Sequence, residues 1–267
     1  MGTLPRITIG GLQVSRLIVG GNPFSGVSHQ NADKDLEMID YYSIARIKET
    51  LAECERLGIN TLFARADQHI MRLMREYRNE GGQIQWFAQS APEMASLEDN
   101  IRRARHFGAV GCYLHGGVVD QYFERGELEK LRGPLALIRD LGMVPGIAAH
   151  QPAAHLEAQR LNLGHDFHMV CFYNITGRRG KIERADPEEK FRPEDREAAV
   201  AALRQLERPC VAYKVFAAGR NDPLQALEYA YAHIRAKDAV LMGVYTRHQP
   251  DQVAQNVRLA LECMGAR

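Results

Sequence analysis

The sequence predicts one domain, residues 1–267, folded as a (β/α)8 barrel with an N-terminal β-hairpin. Three observations lead there. Eight short apolar or β-branched runs alternate with amphipathic helical stretches along the chain. The alternation fills about 250 residues, the usual size of such a barrel. No G-x-G-x-x-G turn follows an early strand, whereas the rival open, doubly wound sheet ordinarily shows one. Strands buried on both faces read as unbroken apolar runs, which is how these eight read.

Arg6 to Val14 forms a hairpin turning at Gly10-Gly11, placed to plug the lower end of the barrel. Leu17-Ile18-Val19 is the first barrel strand, and residues 22–42 after it are long enough to be a binding loop. Ser43 caps a helix over Ile44 to Leu57, where Ile44, Ile47, Leu51 and Cys54 recur at helical spacing and Gly58 ends it. Strands follow at Asn60 to Phe63 and Ile84 to Phe87, with Met71 and Met74 between them read as core packing. Ser96-Leu97-Glu98-Asp99 resembles a capping box and opens the helix through Ile101, Ala104 and Phe107. Val110 to Leu114, Val144 to Ile147 and Phe167 to Phe172 are the next strands, separated by helices over Leu128 to Leu141 and Ala153 to Leu161. Residues 175–192 carry nine charged side chains between Arg178 and Lys190, and read equally as a lid loop or a solvated excursion. The chain ends with helices over Pro193 to Leu206, Pro223 to Ile234 and Pro250 to Cys263, with proline in each first turn, around strands Cys210 to Val215 and Ala239 to Val244.

Composition removes whole classes of function. Lys and Arg number 34 against 33 Asp and Glu, for a net charge of +1, so nothing marks a nucleic-acid surface. No apolar run approaches the roughly 18 residues a membrane span needs, and the start lacks a signal-peptide layout, so the expected location is the cytosol. The five cysteines are odd in number and set in apolar stretches, which predicts buried thiols instead of disulfides or a zinc cluster. A small-molecule substrate is the expected partner; the oligomeric state is left open.

Barrel chemistry sits just beyond the C-terminal ends of the strands. Those positions hold Asn22; Arg65, Asp67 and His69; Gln89 and Ser90; His115; His150; Tyr173; Lys214; and Tyr245, Arg247 and His248. Asp67, His69, His115 and His150 are the side chains that hold zinc, iron or manganese, although no tight H-x-H or H-E-x-x-H spacing reinforces them. The same four serve equally as general acids and bases, histidine titrating near neutrality. Arg65 and Lys214 would grip a carboxylate, phosphate or enolate oxygen, and Lys214 is also a Schiff-base candidate. His29, His106, His155, His165, His168 and His233 read as structural or exposed.

The order of segments resembles the aldo-keto reductases. Leu12-Gln13-Val14-Ser15-Arg16-Leu17-Ile18-Val19-Gly20 looks like that family's opening "LxVSRLxxG", Gly58-Ile59-Asn60 like its "GIN", and Tyr113-Leu114-His115 like its strand-four "YLxH" with one residue dropped. Phe172-Tyr173-Asn174, Val211-Ala212-Tyr213 and Asp251 to Asn256 are similar to its "xYN", "xAY" and "EQxxxN". The family reduces carbonyls with nicotinamide and a tetrad of Asp, Tyr, Lys and His. Only the His matches, as His115; Phe63 stands at the Asp position, Gln68 at the Tyr, and Gln89-Ser90 at the "TK". Of the cofactor contacts the resemblance implies, Tyr213, Asn256 and Arg247 remain, while Ala148-Ala149 and Val170 replace the carboxamide partners and Gln252 the arginine for the 2′-phosphate. NADP affinity is therefore expected to be weak or absent. The resulting expectation is an acid-base or metal-assisted lyase, isomerase or hydrolase on a polar metabolite. The alternatives are a nicotinamide-dependent carbonyl reductase with a rewired proton donor such as His69, and a non-catalytic ligand-binding subunit.

Overall fold

Arg6–Ile9 (β1) and Leu12–Ser15 (β2) pair antiparallel around Gly10 and Gly11, whose φ angles of +55° and +86° suit glycine. The computed structural model describes residues 3–175 and 191–265. A side chain at Gly10 would come within 2.4 Å of Val144, the first residue of a barrel strand, so the hairpin closes the lower end as expected. The barrel itself is Leu17–Gly20 (β3), Thr61–Arg65 (β4), Gln85–Gln89 (β5), Gly111–Leu114 (β6), Val144–Ala149 (β7), Phe167–Cys171 (β8), Cys210–Tyr213 (β9) and Ala239–Gly243 (β10). These eight strands pair in parallel, in sequence order, and β10 closes on β3.

The interior explains part of the sequence. Phe63 stacks flat on Phe87 at 4.7 Å, both rings meet Phe167 edge-on, and Tyr113 lies against Phe63 and Phe167. Such pairs each contribute about 0.5–1.5 kcal/mol beyond their burial. The rings fit because glycine faces them: a Cβ at Gly111 or Gly146 would lie 2.3 Å from Phe87 or Phe167. Phe63 thus belongs to an aromatic cluster inside the barrel, at the position where the resemblance puts a catalytic Asp.

The helices among the described residues are Ala32–Tyr41 (α1), Ile44–Arg56 (α2), Gln68–Asn79 (α3), Leu97–His106 (α4), Gly116–Glu124 (α5), Arg132–Asp140 (α6), Pro152–Arg160 (α7), Pro193–Gln205 (α8), Pro223–His233 (α9) and Gln252–Gly265 (α10). Ser43 and Ser96 cap α2 and α4 as the sequence predicts. The spacing of Met71 and Met74 marks α3 only in part, and two further helices carry no signal in the sequence. Within the long connection after β3, α1 is held by the Asn31 cap, but it buries only Met38 and exposes Leu36 and Ile39, so it lacks an amphipathic stripe. The other, α5, begins at Gly116-Gly117, poor helix formers that hide its start. The last helix begins at Gln252, two residues beyond Pro250.

All five cysteines are free and buried, which matches the thiol reading. Among the described residues no helix is long and apolar enough to cross a membrane. Most of the proposed lid, residues 176–190, lies outside the described residues.

Candidate active site

At the C-terminal ends of the strands lies a cavity of about 1050 Å³. Phe63, Tyr113, Ala148 and Met169 give it an apolar floor, and Arg65, Gln89, His115, His150, Tyr213 and Lys214 line it above. No Asp or Glu is among its described lining residues, which include Lys34, Arg65 and Lys214.

His115 ends β6 and caps α5. Its backbone N–H donates to Ser90 Oγ at 2.9 Å, and the Gly117 N–H donates to its Nδ1 at 3.1 Å. A nitrogen that accepts from a backbone amide carries no proton, so the neutral ring has its proton on Nε2. Burial first, then the neighbouring His150 and the positive charges of Arg65 and Lys214, hold its pKa down to about 4. At neutral pH His115 is therefore an uncharged N–H donor facing the cavity.

His150 is built the opposite way. Its Nδ1–H donates to Asp120 Oδ2 at 2.8 Å, while its backbone N–H and that of Gln151 donate to the same carboxylate at 3.1 and 3.2 Å. Asp120 comes from the first turns of α5 and is almost wholly buried. The carboxylate fixes the ring orientation and leaves Nε2 as the lone-pair nitrogen, the arrangement of a positioned general base. Gly116 packs against this ring: a Cβ there would sit 2.9 Å from His150 Cε1 and 3.3 Å from the Tyr213 hydroxyl. Replacing Gly116 by Ala should push His150 aside and lower activity at least about tenfold, with a small change in melting temperature. Kinetics and a thermal melt on the same variant check both parts.

The remaining candidates separate. Arg65 lines the cavity and is held from outside by Glu93 and, at 3.8 Å, by Asp67. Asp67 caps α3, accepting from the Ile70 N–H at 2.8 Å and the Ser25 hydroxyl at 3.1 Å, and does not line the cavity. His69 is exposed on α3, also off the cavity. The expected metal set of His69, Asp67, His115 and His150 is therefore not assembled, and among the described residues no three His, Cys, Asp or Glu groups are arranged to hold a metal ion. Lys214, in left-handed backbone at φ +60°, donates to His29 Nε2 at 2.7 Å, and Asn22 donates to the same nitrogen at 3.0 Å.

Of the cofactor candidates, Tyr213 lines the cavity, its ring edge-on to His150 and its hydroxyl donating to the Ala149 carbonyl at 3.3 Å. Burial pushes that hydroxyl well above its ordinary pKa, so it stays protonated. Asn256 also lines the cavity, only 3% exposed. Arg247 lies outside it, 3.6 Å from Glu37 on α1. Gln68, at the family's Tyr position, is exposed and receives a hydrogen bond from Arg103. Sequence reasoning missed Asp120, which sits in no motif, and His29, whose loop position gave no signal.

No protein-family model and no curated protein matches the chain. Solved structures do. A Pseudomonas aeruginosa protein assigned to the aldo-keto reductases aligns over 98% of this chain and 97% of its own at 17% identity, with a TM-score of 0.65. An aldo-keto reductase from Bacillus halodurans aligns over 98% and 96% at 15% identity, with a TM-score of 0.58. A glycerol dehydrogenase from Gluconobacter oxydans aligns over 94% and 89% at 12% identity, also at 0.58. The chain thus has the barrel found in aldo-keto reductases, the fold its short motifs suggested, with its own set of side chains around the mouth.

Proposed function

We propose that this cavity carries out proton transfer at a carbon next to a carbonyl, as an isomerase or lyase acting on a small polar metabolite. The observation that carries the reading is the 2.8 Å contact between His150 Nδ1 and buried Asp120. His150 Nε2 takes the proton from carbon, and the carbonyl oxygen accepts from His115 Nε2–H. Charge developing on that oxygen is stabilised by the donor and by the nearby positive charges of Arg65 and Lys214. A neutral imidazole suits the donor role, because its N–H is closer in acidity to an enol than an imidazolium is. His150 then returns the proton to carbon, or to a leaving group.

A second reading, nicotinamide-dependent carbonyl reduction, is favoured by Asn256 and Tyr213 both lining the cavity. Against it, Ala148, Ala149 and Val170 offer a carboxamide no hydrogen-bonding side chain. The two are separated by incubating the protein in D2O with small 2-hydroxy aldehydes and ketones and following C–H loss by proton NMR, beside fluorescence titrations with NADPH and NADH. Proton transfer predicts deuterium entering a probe with the native chain and not with His150→Gln. Saturable nicotinamide binding without deuterium incorporation would replace it with the reductase reading.

A further inference from the structure

Four successive strands of the barrel lead to polar side chains on one arc of the mouth: Arg65 on β4, Gln89 on β5, and His115 and His150 directly after β6 and β7. Their direction follows from the pleat. Successive side chains along a strand alternate faces, so residues two apart share one. Phe63 and Phe87 are register partners whose rings stack inside the barrel, and Arg65 and Gln89, the next register pair on that face, therefore point into the cavity above them. Tyr113, the partner of Gln89 on β6, also lies inside, which puts His115 on the same face one step higher. Ala148, on the cavity floor, does the same for His150.

This arc holds donors in reserve. Arg65 is gripped at its outer edge: Nη2 donates to Glu93 and Nε lies 3.8 Å from Asp67, while Nη1 donates to no described residue. The Gln89 amide likewise has no hydrogen-bond partner among the described residues, and His115 offers its Nε2–H. Glu93 is 53% exposed, so water screens its charge, and neither it nor Asp67 lines the cavity. On β4 and β5 a ligand therefore meets one guanidinium edge and one neutral amide, which suit the two oxygens of a carboxylate. A phosphate dianion calls for a second positive charge on the same arc. Among the described residues the cavity's lysines stand elsewhere: Lys214 follows β9, four strands round the barrel from β5, with its ammonium on His29, and Lys34 of α1 pairs with Glu37.

We propose that the substrate is a 2-oxo acid whose carboxylate is held by Arg65 and Gln89, a proposal that rests on the acid-base reading of the site. The order of the arc matches the order of the molecule. Carbon 1, the carboxylate, sits at β4 and β5; the oxygen on carbon 2 accepts from His115 Nε2–H after β6; a hydrogen on carbon 3 meets His150 Nε2 after β7. When His150 takes that proton, the electron pair of the broken C–H bond forms a double bond between carbons 2 and 3, and the carbonyl pair moves onto the oxygen bonded to His115. Return of a proton from His150 to carbon 3, a deuteron in D2O, restores the 2-oxo acid. No other reactant is needed.

Binding alone tests the carboxylate site. Pyruvate, its neutral counterpart pyruvamide and dihydroxyacetone phosphate are each titrated into full-length native protein, Arg65→Gln and Gln89→Leu, and followed by NMR at the 15N-labelled His115 ring. Pyruvate should bind the native protein at least about tenfold more tightly than either other probe, and Arg65→Gln should remove that advantage. Gln89→Leu should weaken pyruvate by a smaller factor. Pyruvate that does not bind, that binds no more tightly than pyruvamide or the phosphate ester, or that keeps its affinity in Arg65→Gln overturns the assignment. Should Arg65→Gln fail to fold, the three probes on the native protein decide alone. The two readings fail separately. Pyruvate that binds through Arg65 without taking deuterium at carbon 3 removes the acid-base reading and keeps the carboxylate site, whereas a neutral ketone that exchanges deuterium with no preference for a carboxylate does the reverse.

Discussion

Replacing Asp120 by Asn is expected to slow proton transfer by about 10²–10⁴-fold while leaving the barrel folded. The carboxylate takes the His150 ring N–H and the backbone N–H groups of His150 and Gln151 together. An amide has one oxygen for three donors. If its NH2 faces the ring, Nδ1 must become the acceptor and the proton moves to Nε2, leaving the base without its lone pair on the cavity side. Hydrogen bonds to a charged group contribute about 1.5–3 kcal/mol each, so some stability is lost too. Deuterium incorporation by the variant, beside its melting temperature, separates the two effects: a folded variant with native rate would remove the assigned role of Asp120.

The second large effect is an acid transition. Burial is the first cause that holds the pKa values of His115 and His155 down to about 4 and that of His165 down to about 3. In the unfolded chain each titrates near 6.5. Above that pH both states are neutral and these groups contribute nothing to a pH dependence. Between about 6.5 and 4 the unfolded chain binds protons that the folded one refuses, so stability falls as pH falls. Each group adds a slope of about 1.4 kcal/mol per pH unit, and three together reach about 4, against a total of about 5–15 kcal/mol for an ordinary domain. Urea midpoints at pH 7, 6 and 5 should drop progressively. Midpoints unchanged from pH 7 to 5 would mean these rings titrate normally and are not buried as described.

Most of the barrel is legible in the sequence because each strand is a short, mostly apolar run and many boundaries carry a capping side chain, a first-turn proline or a glycine; all eight strands lie within two residues of their expected ends. The rim was harder. Rim membership holds for Arg65 at the very end of β4, but two residues on the chain has already turned into the cap of α3, which carries Asp67 and His69 away from the cavity. His115 and His150 follow their strands directly and both face the cavity. Asp120 could not be read, since its function depends on α5 folding back against the end of β7, a contact between residues 30 apart. The histidines at 155, 165 and 168 gave a bland reading singly; only the packing of α7 on β8 joins them.

The most direct test of the division of labour at the mouth is a 15N-histidine NMR titration of the native protein. His115 is predicted to be neutral, with its proton on Nε2, from pH 8 down to about pH 4, while His150 keeps its proton on Nδ1 against Asp120. A His115 that charges near pH 6.5, or that carries its neutral proton on Nδ1, would contradict the assignment of an uncharged donor facing a positioned base.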